Sequence, residues 1–178
     1  MLSVNVRGYA LTTKHVVPLM KKQNYGSIIN IASTGGLVAI SNFLPYATTK
    51  GAIIQMTRNL ALDLGSFNIR VNSISPGAID SPTIYDTAIK NGVTKQEFDN
   101  EHAGKCLKRL GQPQEIANLV VFLASELCTF MTGSNLVVDV GYSIVYLTIN
   151  RNLFCLINIL FILHTYINKK KERKRQKR

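Results

Sequence analysis

Two short, β-branched runs, YGSIINIAS (25–33) and NIRVNSIS (68–75), constrain this chain more than any other feature. Each has the length of a strand and is apolar on both faces, as strands buried inside a parallel sheet are. Between them, Ala52, Ile53, Met56, Leu60 and Leu64 recur at helical spacing over roughly residues 45–64, and Pro45 suits a first helical turn. An earlier helix is predicted over 2–22, with Val4, Leu11, Val16, Val17 and Leu19 among its apolar positions and Pro18 bending its end. Downstream, Thr94-Lys95-Gln96-Glu97 fits a capping box. Pro113 with Glu115 opens the helix PQEIANLVVFLAS, and NLVVD (135–139) reads as a last strand. Helices alternating with apolar strands predict an α/β fold, a doubly wound parallel sheet covered on both faces.

Composition narrows the function classes. A hydrophobic fraction of 46% in 178 residues suits one domain with a sizeable core. Cys106, Cys128 and Cys155 show neither CxxC pairing nor metal-ligand spacing, so no metal site is expected and each cysteine reads as a small buried hydrophobe. That usage, with no secretory signal visible, leads to a cytoplasmic expectation. The net charge of +11 is concentrated at the end: KKKERKRQKR contributes +7 and leaves +4 for the other 168 residues. A nucleic-acid partner would rest on that run alone, and none is expected.

The stretch PYATTKGA (45–52) sets Tyr46 and Lys50 one helical turn apart on one face. A free phenol has a pKa near 10, and a neighbouring ammonium favours its ionised form. Such a pair can give and take a proton near neutral pH, as general acid–base catalysis requires. On spacing alone it is an ordinary surface pair. Ser33 changes the odds, because it ends the preceding strand at a carboxyl edge, where ligands bind in open α/β sheets. The next strand also ends at such an edge, in SPGAIDS (75–81).

These pieces resemble one family in order. NVRG, GSIINIAS, YATTK, IRVNSISPGAIDSP, RLGQPQEIANLVVFLAS and MTGSNLVVDVGYS follow the second half of the short-chain dehydrogenase/reductases, over about residues 2–143. The resemblance implies a partial Rossmann-like sheet and NAD(P)-dependent interconversion of a secondary alcohol and a ketone. Tyr46 matches the catalytic acid/base, Lys50 the lysine that assists it and binds the nicotinamide ribose, and Ser33 the serine that holds the substrate oxygen. Asn5 matches the helix asparagine that anchors a water in the proton relay. Pro76, Gly77 and Ile79 match the segment lining the nicotinamide, with Ile79 the backbone contact to its carboxamide. Ser81 stands where threonine is usual and keeps the hydroxyl. Homo-oligomers through helices near 2–22 and 45–64 are implied as well. Thr34 is the rival to Ser33. Tyr25, Tyr85 and Tyr142 read as packing or rim residues, His15 as structural, and His102 as solvent-exposed within a variable stretch, 82–110, that often covers the substrate.

Two departures accompany the match. No glycine is followed by another two positions later, so no GxGxxG turn for the dinucleotide pyrophosphate exists, and the choice of NAD or NADP is not legible. The chain is therefore expected to be a partial member with an uncovered sheet edge, and the alternative to an enzyme is a non-catalytic oligomerisation or interaction protein. The second departure is Val140, where a second glycine is usual. Residues 144–178 are expected to lie outside the family domain, 1–143. Their apolar, asparagine-spotted stretch and basic end read first as sequence translated past a splice junction. A membrane-contacting tail anchor comes second, weakened by Arg151, and a nucleic-acid arm third.

Overall fold

The structure is a computed structural model and describes residues 1–90, 92–103 and 106–144. Apart from Ile144, the anticipated apolar and basic tail lies outside the described residues, as does Cys155. Three strands, β1 (Gly26–Ile31), β2 (Ile69–Pro76) and β3 (Asn135–Val138), form a parallel sheet in that order. Gly26 pairs with Ile69 and Ile31 with Ile74, while Ser73 pairs with Asn135 and Pro76 with Val138. All three carboxyl ends therefore lie at one edge. Among the described residues β1 pairs only with β2.

Alternation along β1 and β2 divides the core between two faces. On one face Ile28, Ile69 and Val71 pack with Val17 and Met20 of helix α1 (Tyr9–Gln23) and with Leu60, Ala61 and Leu64 of helix α2 (Leu44–Leu64). On the other, Ile29, Ile31 and Ile74 meet Ile116, Leu119, Val120 and Leu123 of helix α5 (Pro113–Ala124). The sheet is covered on both faces, as the sequence pattern predicts. Buried polar groups are paired across these layers. Asn30 Nδ2 donates to Thr57 Oγ1 at 2.9 Å, and Arg70 Nη1 donates to the Leu123 carbonyl at 2.8 Å, satisfying the end of α5.

The predicted helix over 2–22 divides into a π-helical turn, Ser3–Gly8, followed by α1. Its apolar positions are not all core: Val4, Leu11 and Leu19 face solvent. The Thr94–Glu97 capping box closes in both directions and opens α4 (Lys95–His102). One element was not foreseen. Within the stretch 82–110, helix α3 (Pro82–Lys90) packs Ile84 and Ala88 against Phe98 of α4. The nine residues of α3 are too few to announce a helix by periodicity, and α3 owes its stability to this tertiary contact.

Val140, the departure noted in the sequence, sits at φ 51°, in the left-handed region. A β-branched side chain is strained there, whereas glycine is not. Val140→Gly is expected to stabilise the chain by about 1 kcal/mol, the left-handed penalty less the entropy glycine adds to the unfolded state. Urea unfolding of the two proteins checks this. A lower midpoint for the glycine variant would contradict it.

Candidate active site

The site is assembled at the carboxyl edge of β1 and β2 by the buried stripe of α2. Thr49, Ile53, Thr57, Ala61 and Leu64 face the sheet, which aims the adjacent row, Tyr46 and Lys50, at the end of β1. Lys50 Nζ donates to the Ile31 carbonyl at 3.0 Å, and Tyr9 Oη donates to the same oxygen at 3.1 Å. The Lys50 Nζ lies 5.7 Å from the centre of the Tyr46 ring. Asn5 Nδ2 donates to Thr49 Oγ1 at 3.1 Å, and Thr49 Oγ1 in turn donates to the Tyr46 carbonyl at 2.8 Å. Asn5 is thereby tied to the turn of α2 that carries Tyr46.

Ser33 leaves β1 in extended conformation, and its Oγ accepts from the Gly35 amide at 3.1 Å, closing the turn Thr34–Gly36. With a lone pair so engaged, its hydroxyl proton is left for an outside acceptor. Thr34, the rival hydroxyl, donates to the Pro76 carbonyl at 3.3 Å and is thus committed to structure. A methyl on Gly35 would stand 3.4 Å from Tyr46 Cε1 and 3.5 Å from Ser33 Oγ, so the edge of the Tyr46 ring and the Ser33 hydroxyl both border that glycine. Both line a cavity of about 330 Å³ with Thr34, Ile40, Phe43, Gly77, Ala78, Ser81, Ile84, Phe98, His102 and Tyr142.

The loop after β2 is held by a second lattice of bonds. Gly77 N–H donates to the Val138 carbonyl, Asp80 N–H to the Gly111 carbonyl, and Gly111 N–H to the Ala78 carbonyl. Ile79 forms an isolated parallel bridge with Gly111, which uses the groups on either side of Ile79 and not its own. Its N–H and C=O therefore face away from Gly111 and take no hydrogen bond among the described residues. Glu115 anchors the far side. It accepts from Arg109 at 2.7 and 2.8 Å and from the Gln112 amide at 2.8 Å. These bonds, the Arg109 side chain foremost, hold its carboxyl down to about 2.

Burial gives two site groups definite electrostatics. It pushes the Tyr9 phenol up, so Tyr9 stays a donor to Ile31. It lowers the Lys50 ammonium, because desolvation penalises the charged form. A lysine depressed in the folded state binds fewer protons there than in the unfolded chain. Its penalty is full below the folded pKa and vanishes as pH rises to the unfolded value near 10.4. The wild type is thus expected to gain stability relative to Lys50→Met as pH climbs through that alkaline window. Urea midpoints of both proteins from pH 7 to 10.5 check this, and parallel curves would contradict it.

The structure brings Ser33, Tyr46, Gly77 and Ser81 to one cavity and places Lys50 and Asn5 behind Tyr46; Pro76 and Ile79 belong to the adjoining strand end. Thr49 and Tyr9 escaped the sequence reading, although Thr49 stands three residues after Tyr46 and Tyr9 four after Asn5, both helical neighbours. Two expectations need correction. His102 is not a solvent-exposed residue but lines the cavity, stacked on Phe98 with centroids 3.9 Å apart. Cys106 is exposed, unlike buried Cys128, because it lies in a loop against Gly141. His15 is exposed on α1. Tyr25 and Tyr85 donate to Glu126 and Asp99, in keeping with rim and packing roles.

A family profile described as enoyl-(acyl carrier protein) reductase matches residues 1–143. Cyclopentanol dehydrogenase of Comamonas testosteroni is 38% identical over 146 residues, covering 79% of this chain and 54% of that protein. The crystal structure of levodione reductase superposes with a TM-score of 0.76 at 32% identity, covering 80% of this chain and 56% of that one. A 3-oxoacyl-[acyl-carrier protein] reductase with bound NAD from Brucella melitensis gives a TM-score of 0.66 at 32% identity, covering 80% of this chain and 50% of that one. This chain belongs to the short-chain dehydrogenase/reductase family. It spans about half the length of the curated relatives it matches. Among the described residues no cluster of metal-ligating side chains occurs, and no helix is long and apolar enough to cross a membrane.

Proposed function

We propose that this chain carries the catalytic half of an NAD(P)-dependent oxidoreductase that interconverts a secondary alcohol and a ketone. The observation that carries the reading is the cavity that Ser33 and Tyr46 line together, with Lys50 beside the Tyr46 ring. Ser33 donates its free hydroxyl proton to the substrate oxygen and fixes it. Tyr46 gives that oxygen a proton during reduction and removes one during oxidation. Lys50 supplies positive charge beside the ring on which negative charge develops. Asn5, oriented through Thr49, holds the water that returns the proton to this end of the site.

The residues fit the nicotinamide end of the cofactor. Ile79 offers an unused N–H and C=O at a strand end, as a carboxamide requires, and Pro76, Gly77 and Ser81 complete that wall. Lys50 would bind the ribose. The bound group supplies the hydride acceptor or donor, and either NAD or NADP is consistent with these residues. The chain, joined to the N-terminal half of a relative and given NADH or NADPH deuterated at the nicotinamide, should place deuterium on the carbinol carbon of a cyclic ketone. Mass spectrometry reads the label. Its absence with every ketone and both cofactors would reject the reading.

A second reading, a non-catalytic oligomerisation protein, is favoured by one feature. The groove between α1 and α2, lined by Val17, Met56 and Leu60, and the exposed Leu11, Leu19 and Leu62 offer apolar surface to another copy. Self-association through these helices is compatible with either reading. Calorimetric titration with NADH and NADPH separates them, since micromolar binding counts against a purely structural role.

A further inference from the structure

The cavity around Ser33 and Tyr46 is apolar on most of its wall. Ile40, Phe43, Ala78, Ile84 and Phe98 give it the character of a site for a compact hydrocarbon skeleton. His102 breaks that character. Its ring lies flat on Phe98, with 8° between planes, so its orientation is fixed by stacking. Nδ1 sits 3.0 Å from the Phe98 carbonyl of the same helix. A carbonyl only accepts, so Nδ1 must carry a hydrogen, and in the neutral ring Nε2 is then a pure acceptor. Nε2 takes no hydrogen bond among the described residues, and the ring borders the cavity.

Resting on the functional reading above, we infer that His102 is a specificity-determining residue whose Nε2 accepts a hydrogen bond from a second hydroxyl of the substrate. The substrate class is accordingly a compact diol or hydroxyketone. One oxygen is held by Ser33 and Tyr46, and the other is recognised from α4. Thr34 donates its proton to Pro76 and keeps a lone pair, but it adjoins Ser33, beside the reacting carbon. Ser81 belongs to the wall beside the nicotinamide. The imidazole presents its acceptor from α4, an element apart from those that carry Ser33 and Tyr46.

The test uses the full chain with cyclohexanol and the 1,2-, 1,3- and 1,4-cyclohexanediols as probes, with affinities from ligand-observed NMR. One diol should bind about tenfold more tightly than cyclohexanol, the value of one well-made hydrogen bond. That diol should also shift the His102 Nε2 resonance, which cyclohexanol should leave in place. His102→Phe keeps the aromatic stack and should abolish the preference of that diol over cyclohexanol. Cyclohexanol binding without any diol preference or Nε2 shift overturns this inference alone. A diol preference that survives in His102→Phe does the same. Failure of every probe to bind, or binding indifferent to Ser33→Ala, overturns the functional reading and this inference with it.

Discussion

Gly36→Ala is expected to destabilise the chain by about 3 kcal/mol, at the upper end of the usual cost of overpacking. A Cβ at Gly36 would stand 2.7 Å from Gly51 N and from the Lys50 carbonyl carbon, and 2.9 Å from the Lys50 oxygen. These are main-chain atoms in the middle of α2, so no side chain can swing aside. Relief requires the Ser33 turn and α2 to separate. That separation would also widen the gap between Ser33 and Tyr46, so stability and site geometry should fail together. Gly65→Ala is the control, since nothing lies within 4 Å of its added methyl. Chemical denaturation of both variants checks the prediction. Equal midpoints would mean that the turn does not rest on α2 as described.

The contrast between Gly36 and Tyr46 shows what was legible in the sequence. Tyr46, Lys50 and Ser33 stand out in the sequence because a helical repeat and a strand end are both local patterns. The parallel sheet was legible for the same reason, through the β-branched runs at 25–33 and 68–75. The contact of Gly36 with Lys50 and Gly51 has no such signature. It arises only when the buried stripe Thr49, Ile53 and Thr57 docks α2 on β1. His102 was misread for a related reason. A polar α4 suggests an exposed surface, and only the packing of α3 and α4 around Phe98 turns its imidazole toward the cavity. Val140 was legible as an anomaly, but the backbone angle was needed to say why glycine would serve better there.

The central claim is that Tyr46 moves the proton while Ser33 holds the oxygen, and Tyr46→Phe tests it most directly. The variant loses one hydroxyl whose oxygen has no hydrogen-bond partner among the described residues, so the fold loses no bond. The edge-to-face contact with Phe43 at 6.0 Å is kept as well. The measurement is the reduction rate of a cyclic ketone by the chain joined to a relative's N-terminal half, before and after the substitution. A fall in kcat of about 10²- to 10⁴-fold is expected, the usual worth of a positioned acid–base group, with ketone affinity changed little. An unchanged kcat would contradict it and move the proton chemistry to another residue.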